Sequence, residues 1–111
     1  MPRFLWQVTY TPEGSRGLAG EGGSARHEAV RAMFEQAGGR LEAFYYAFGP
    51  DDLIVIGELP DNATAAAFAL NTNASGTAHS RATVLLTPEE LDRAAQLDVA
   101  YRPPGQAPTS A

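Results

Sequence analysis

Arg40 to Leu59 reads RLEAFYYAFGPDDLIVIGEL, two β-type runs facing each other across Gly49-Pro50-Asp51-Asp52. The second run, Leu53-Ile54-Val55-Ile56, holds no polar residue. A strand of that kind is covered on both faces. A chain of 111 residues encodes few helices to cover it. The pattern therefore predicts a sheet that completes its core against another subunit.

Upstream, Phe4 to Tyr10 reads as the first strand, with Phe4, Trp6, Val8 and Tyr10 on one face and Leu5, Gln7 and Thr9 on the other. Thr11-Pro12-Glu13-Gly14 reads as a break, and the glycine-rich segment from Ser15 to Gly23 as a loop. Ser24 is a candidate N-cap for a helix running to about Ala37, with Val30, Met33, Phe34 and Ala37 as its apolar stripe. Gly38-Gly39 ends that helix. The second strand runs from Leu41 to Phe48, with Phe44, Tyr46 and Phe48 on one face by alternation. The third runs from Leu53 to Glu58.

Downstream, Asp61 or Asn62 can cap a helix over about 63–72, its small-residue face made by Ala63, Ala66, Ala67 and Leu70. Ser80 to Leu86 is the fourth strand. Thr87-Pro88-Glu89-Glu90 is a capping box with proline at the first helical position, opening a short helix to about Gln96. Residues 1–98 read as one domain. Residues 99–111, proline-rich and without periodicity, read as a mobile tail.

The order of the six main elements, β-α-β-β-α-β, is the split βαβ pattern. The predicted fold is α+β and ferredoxin-like, a four-stranded antiparallel sheet with two helices on one face. The other face then carries apolar residues with nothing from the main helices to cover them. A two-fold homo-dimer, or a higher assembly, packing sheet on sheet is the expected solution. The alternative is that the C-terminal helix or tail folds over that face.

Composition narrows the chemistry. The net charge is −5 without a basic cluster, which argues against a nucleic-acid partner. There is no Cys and no Lys, all eight basic residues being Arg. Thiolate catalysis, disulfides and thiolate metal sites are excluded, as is Schiff-base chemistry on a lysine. No apolar run approaches the ~20 residues of a membrane span or the length of a signal peptide, so no membrane partner and a cytoplasmic location are expected.

Six residues are candidates for ligand binding. His79 and Arg81 share strand parity and fall on the face of Gln7 and Thr9, where Arg81 suits an anion clamp and His79 an acid or base; the alternative is a solvated strand rim. Arg26 and His27 open the first helix, where cations and free N–H groups attract anions; the alternative is a solvated first turn. Trp6, Tyr45 and Tyr46 suit the wall of an apolar cavity between sheet and helices, or plain core. Asp51 and Asp52 suit turn chemistry better than acid–base work. Two distant histidines make no metal-site pattern, and no metal or other cofactor is expected.

Six segments carry a resemblance: Thr11-Pro12-Glu13-Gly14; Gly22-Gly23-Ser24-Ala25-Arg26; Gly39-Arg40-Leu41-Glu42-Ala43-Phe44-Tyr45-Tyr46; Leu59-Pro60-Asp61-Asn62; Asn73-Ala74-Ser75-Gly76; and Thr83-Val84-Leu85-Leu86-Thr87-Pro88-Glu89-Glu90. In this order the chain resembles the GYD domain family, small ferredoxin-like proteins related to the dimeric α/β barrels. The naming motif Gly-x-Tyr-Asp falls on Gly49-Pro50-Asp51-Asp52, with Asp51 where the family has Tyr. The resemblance implies the fold and an oligomer of the dimeric α/β-barrel type. The function expected is a homo-oligomeric binding module taking a small organic or anionic ligand in a cleft of Trp6, Tyr46, His79 and Arg81. A cofactor-independent oxygenase or isomerase, by fold analogy, and a structural assembly subunit are the alternatives.

Overall fold

The computed structural model describes residues 1–108. Its elements are β1 (Arg3–Tyr10), α1 (Pro12–Glu21), α2 (Gly23–Gln36), β2 (Arg40–Tyr46), β3 (Leu53–Glu58), α3 (Asn62–Ala74), β4 (Ala78–Leu85) and α4 (Pro88–Gln96). The strands form one sheet in the order β2-β3-β1-β4, with every neighbour antiparallel. This is the expected α+β, ferredoxin-like topology. The last three residues of the expected tail lie outside the described residues.

The core sits where the pattern puts it. Phe4, Trp6 and Val8 of β1 and Leu53 and Val55 of β3 are buried beneath the helices, with Phe34 of α2 and Ala65 of α3 above them. Trp6 and Phe34 meet edge to face at 5.3 Å, and Phe34 meets Phe68 in the same way at 5.2 Å. Such pairs add about 0.5–1.5 kcal/mol to their area burial. Phe34 lies so close to the sheet that a Cβ on Gly57 would fall 2.4 Å from its ring, so only glycine fits there.

Three expectations need correction. First, the segment from Ser15 to Gly23 is mostly helix. Thr11 caps α1, its Oγ1 accepting from Gly14 N at 3.2 Å, and Pro12 opens the first turn. Thr11-Pro12-Glu13 is therefore a start signal, not a break. Glycine suits this helix because Gly14 lies against the Thr77 carbonyl, where a Cβ would approach to 1.9 Å. α2 follows at once, with Gly22 (φ +94°) rather than Ser24 at its N-cap.

Second, α3 turns a different side to the sheet. Ala65 and Phe68 face the core, while Ala63, Ala66, Ala67 and Leu70 are exposed. The Phe68 ring outweighs the methyl groups in burial energy. Third, Glu42 is bulged out of the β2–β3 ladder, which steps from Leu41↔Gly57 to Ala43↔Ile56. The bulge puts Leu41 on the same side as Phe44 and Tyr46. Phe48 lies beyond the strand and is fully exposed.

Candidate functional site

The sheet has two unlike faces. On the helix side, β1, β3, α1, α2 and α3 enclose a cavity of about 520 Å³, open at one side. Trp6, Val8, Met33, Phe34, Leu53 and Phe68 form its apolar wall. Alternation along β1 and β3 aims these strand residues inward, and the α2 stripe supplies Met33 and Phe34. Two polar atoms in the wall residues, Trp6 Nε1 and Ser80 Oγ, are buried without a hydrogen-bond partner. Ser80 stands opposite Val8 in the β1–β4 ladder. It is thus the diagonal neighbour of Trp6, with Cβ atoms about 7–8 Å apart in such pairs.

The rim of the cavity is polar. Arg26 donates from Nε and Nη2 to Glu21 Oε2 at 2.9 and 2.7 Å. Tyr10 lies at the same end, and burial, then the nearby Tyr46, raises its pKa above the ordinary tyrosine value. Burial also raises that of Tyr46, against the opposing pull of Arg26. Tyr46 donates from Oη to Gly23 O at 3.0 Å, tying β2 to the start of α2.

The opposite face carries Leu5, Gln7 and Thr9 of β1, Ile54 and Ile56 of β3, Ala43 and Tyr45 of β2, and His79 and Arg81 of β4. His79 is opposite Thr9 and Arg81 is opposite Gln7, as strand parity predicts. Arg81 is not a free anion clamp. Its Nη2 lies 3.1 and 3.2 Å from the Asp51 carboxylate oxygens, and Gln7 Nε2 donates to the same carboxylate at 3.1 Å. Asp51 is 9% exposed. Its neighbour Asp52 accepts from Tyr10 N at 2.8 Å and donates its own N–H to Val8 O at 2.9 Å. The carboxylate does bond backbone, but the backbone of β1 rather than of its own turn. Gly49 has open space around it.

The cleft expected from Trp6, Tyr46, His79 and Arg81 is not one place. Trp6 and Tyr46 face the helices, whereas His79 and Arg81 face away through the sheet. The expected Arg26–His27 anion corner is divided too. Arg26 lies on the cavity rim against Glu21, while His27 stacks on Phe44 at 4.8 Å. His27 and Phe44 line a smaller hollow of about 290 Å³ beside β2. Among the described residues no group of three His, Asp or Glu is placed to hold a metal ion, and no helix is long and apolar enough to cross a membrane.

Tyr10, Met33, Phe68 and Ser80 are cavity residues that the sequence reading did not single out. The signal for α1, the third helix over the sheet and one wall of the cavity, was present in Thr11-Pro12-Glu13, which repeats the start of Thr87-Pro88-Glu89.

Comparison with curated proteins and with solved structures finds no match. The model of the GYD domain matches residues 4–95, from β1 into α4. With that match over most of its length, and with the fold and the Gly49-to-Asp52 turn in place, the chain belongs to the GYD domain family.

Proposed function

We propose that this protein is a binding module that takes a small, largely apolar organic molecule between its sheet and its helices. The cavity beside Trp6 carries the proposal. Its volume of about 520 Å³ lies in the ~300–1,000 Å³ range of small-molecule sites, which are apolar with a few placed polar groups. Ser75, Thr72, Asn71 and Tyr10 are among the polar side chains in its lining. The Arg26–Glu21 pair at the rim is satisfied within itself, and gives the mouth of the cavity a polar edge for the hydrated end of such a ligand.

Trp6 is the only tryptophan and lines the cavity, so its fluorescence responds to a ligand bound there. Titration with a panel of aromatic and medium-chain carboxylic acids is expected to change that emission saturably and to raise Tm. No saturable change across the panel, together with no shift in Tm, would overturn the reading.

A second proposal concerns assembly: two copies cover the face opposite the helices. Leu5, Ile54, Ile56 and Tyr45 lie together there, and Tyr45 is 71% exposed. Contiguous apolar patches above a few hundred Å² (roughly) usually mark an interface. Sedimentation velocity on the native chain tests this; a single-chain species at all concentrations would remove it.

A further inference from the structure

The C-terminal segment is built to pack on something, and among the described residues it packs on no element of its own chain. α4 is strongly specified. Thr87 Oγ1 accepts from Glu90 N at 3.1 Å and Glu90 Oε1 accepts from Thr87 N at 3.1 Å, with Pro88 at the first position. Yet a nine-residue helix is marginal alone, since isolated helices need about 12–15 residues to persist in water. Among the described residues α4 makes no more than glancing contact with any other element.

The apolar side chains of this segment are bare. Leu86, Leu91, Leu97, Val99 and Tyr101 are between 59% and 79% exposed. The segment also extends the molecule to 64 Å along one axis, against 30 and 24 Å along the others. The radius of gyration is 18.4 Å, where a compact chain of this length has about 13 Å.

We propose that residues 86–101 are an exchange arm that packs on the open sheet face of a second copy, each copy lending its arm to the other. The proposal rests on the two-copy reading above and adds the element that makes the interface. Each surface supplies what the other lacks. The arm brings Leu91, Leu97 and Val99, and the face brings Leu5, Tyr45, Ile54 and Ile56. Charge agrees as well. Between Thr87 and Val99 the arm carries Glu89, Glu90, Asp92 and Asp98 against Arg93 alone. On the face, Glu42 and Glu58 are held by Arg3 and Arg40 and Asp51 by Arg81, so each of these carboxylates is already neutralised where the acidic arm would lie. Arm and face together supply about the 20–30 residues a side that a stable interface uses.

The chain has no cysteine, which makes the test clean. Asp98→Cys and Thr83→Cys are made separately in the full-length chain, and the two proteins are mixed and oxidised. An arm lying on the second copy's face gives a covalent heterodimer. An Asp98→Cys/Thr83→Cys double variant that closes within one monomeric chain would show the arm folded on its own sheet and overturn the proposal. Leu91→Asp/Leu97→Asp is expected to raise the dimer Kd at least tenfold while leaving the helical and strand signals of the domain intact. A native dimer that is indifferent to Leu91→Asp/Leu97→Asp and gives no crosslink would refute the arm but keep the two-copy reading. A native chain that sediments only as a monomer would refute both.

Discussion

Arg81 and Asp51 meet across the open face, one guanidinium nitrogen lying 3.1 and 3.2 Å from the two carboxylate oxygens. The partners are unequally placed: the Arg81 side chain is 67% exposed and that of Asp51 only 12%. Solvent screens the ion pair to about 0–1 kcal/mol. The bond from Gln7 to the same buried carboxylate is worth about 1 kcal/mol, and stranding its amide costs more. Asp51→Ala is therefore expected to lower the unfolding free energy by about 1–2 kcal/mol, and Arg81→Ala by less than about 1 kcal/mol. Urea denaturation of both variants separates the cases; equal losses would place the weight on the ion pair.

Gly14, Gly39 and Gly57 are held by close approach rather than by backbone angle, Gly39 against the Glu58 carbonyl oxygen. A Cβ at Gly57 meets the Phe34 ring at 2.4 Å, and one at Gly14 meets the Thr77 carbonyl oxygen at 1.9 Å. The ring can tilt, whereas the carbonyl belongs to backbone leading into β4. Both Gly57→Ala and Gly14→Ala overpack a tight contact, which costs about 1–3 kcal/mol, with Gly14→Ala at the upper end. Thermal unfolding ranks them, and Gly14→Ala should also loosen α1 and weaken binding in the cavity.

The strands were legible from the alternation along β1 and the unbroken apolar run of β3. The inward set of Phe4, Trp6 and Val8, and the pairing of parity between Gln7, Thr9, His79 and Arg81, follow from the pleat alone. The Trp6–Arg81 cleft failed on that same parity, since Arg81 pairs with Gln7 and so lies through the sheet from Trp6. A bulge such as Glu42 leaves no mark in a run of strand formers. In α3 the eye follows alanine spacing, but one Phe68 sets the rotation of the helix. In α1 the glycine content argues against helix on propensity, and Thr11 with the Thr77 contact overrides it.

Alkaline pH should destabilise the fold through its tyrosines. Burial raises the pKa of both Tyr10 and Tyr46 above 10.0. Above pH 10 the unfolded chain has lost these protons while the folded chain retains them, so the unfolded state binds fewer protons and stability falls as pH rises. The contribution is fully present below about pH 10 and is lost through the higher folded values. Urea midpoints between pH 8 and 11 are expected to decline in the native chain. Tyr10→Phe should flatten that decline more than Tyr46→Phe, since Tyr46 is the more exposed ring. A slope unchanged in both variants would assign the alkaline loss elsewhere.

Thr11 and Thr87 head the same Thr-Pro-Glu signal, and their surroundings differ. Thr11 Oγ1 accepts from Gly14 N and donates to Gly76 O at 2.9 Å, and its N–H donates to Thr77 O at 3.0 Å. It thus fastens α1 to the approach of β4, on one wall of the cavity. Thr87 caps a helix that its own chain leaves unpacked. Thr11→Ala is therefore expected to cost about 1–2 kcal/mol of global stability and to weaken ligand-induced changes in Trp6 fluorescence. Thr87→Ala should leave the global urea transition of the monomeric chain unmoved, because α4 frays without exposing core. Its effect should surface in faster amide exchange across 88–96 and, with arms exchanged, in weaker self-association. If Thr87→Ala instead lowers monomer stability as much as Thr11→Ala does, α4 contributes to the domain's own core and the arm is not free to leave it.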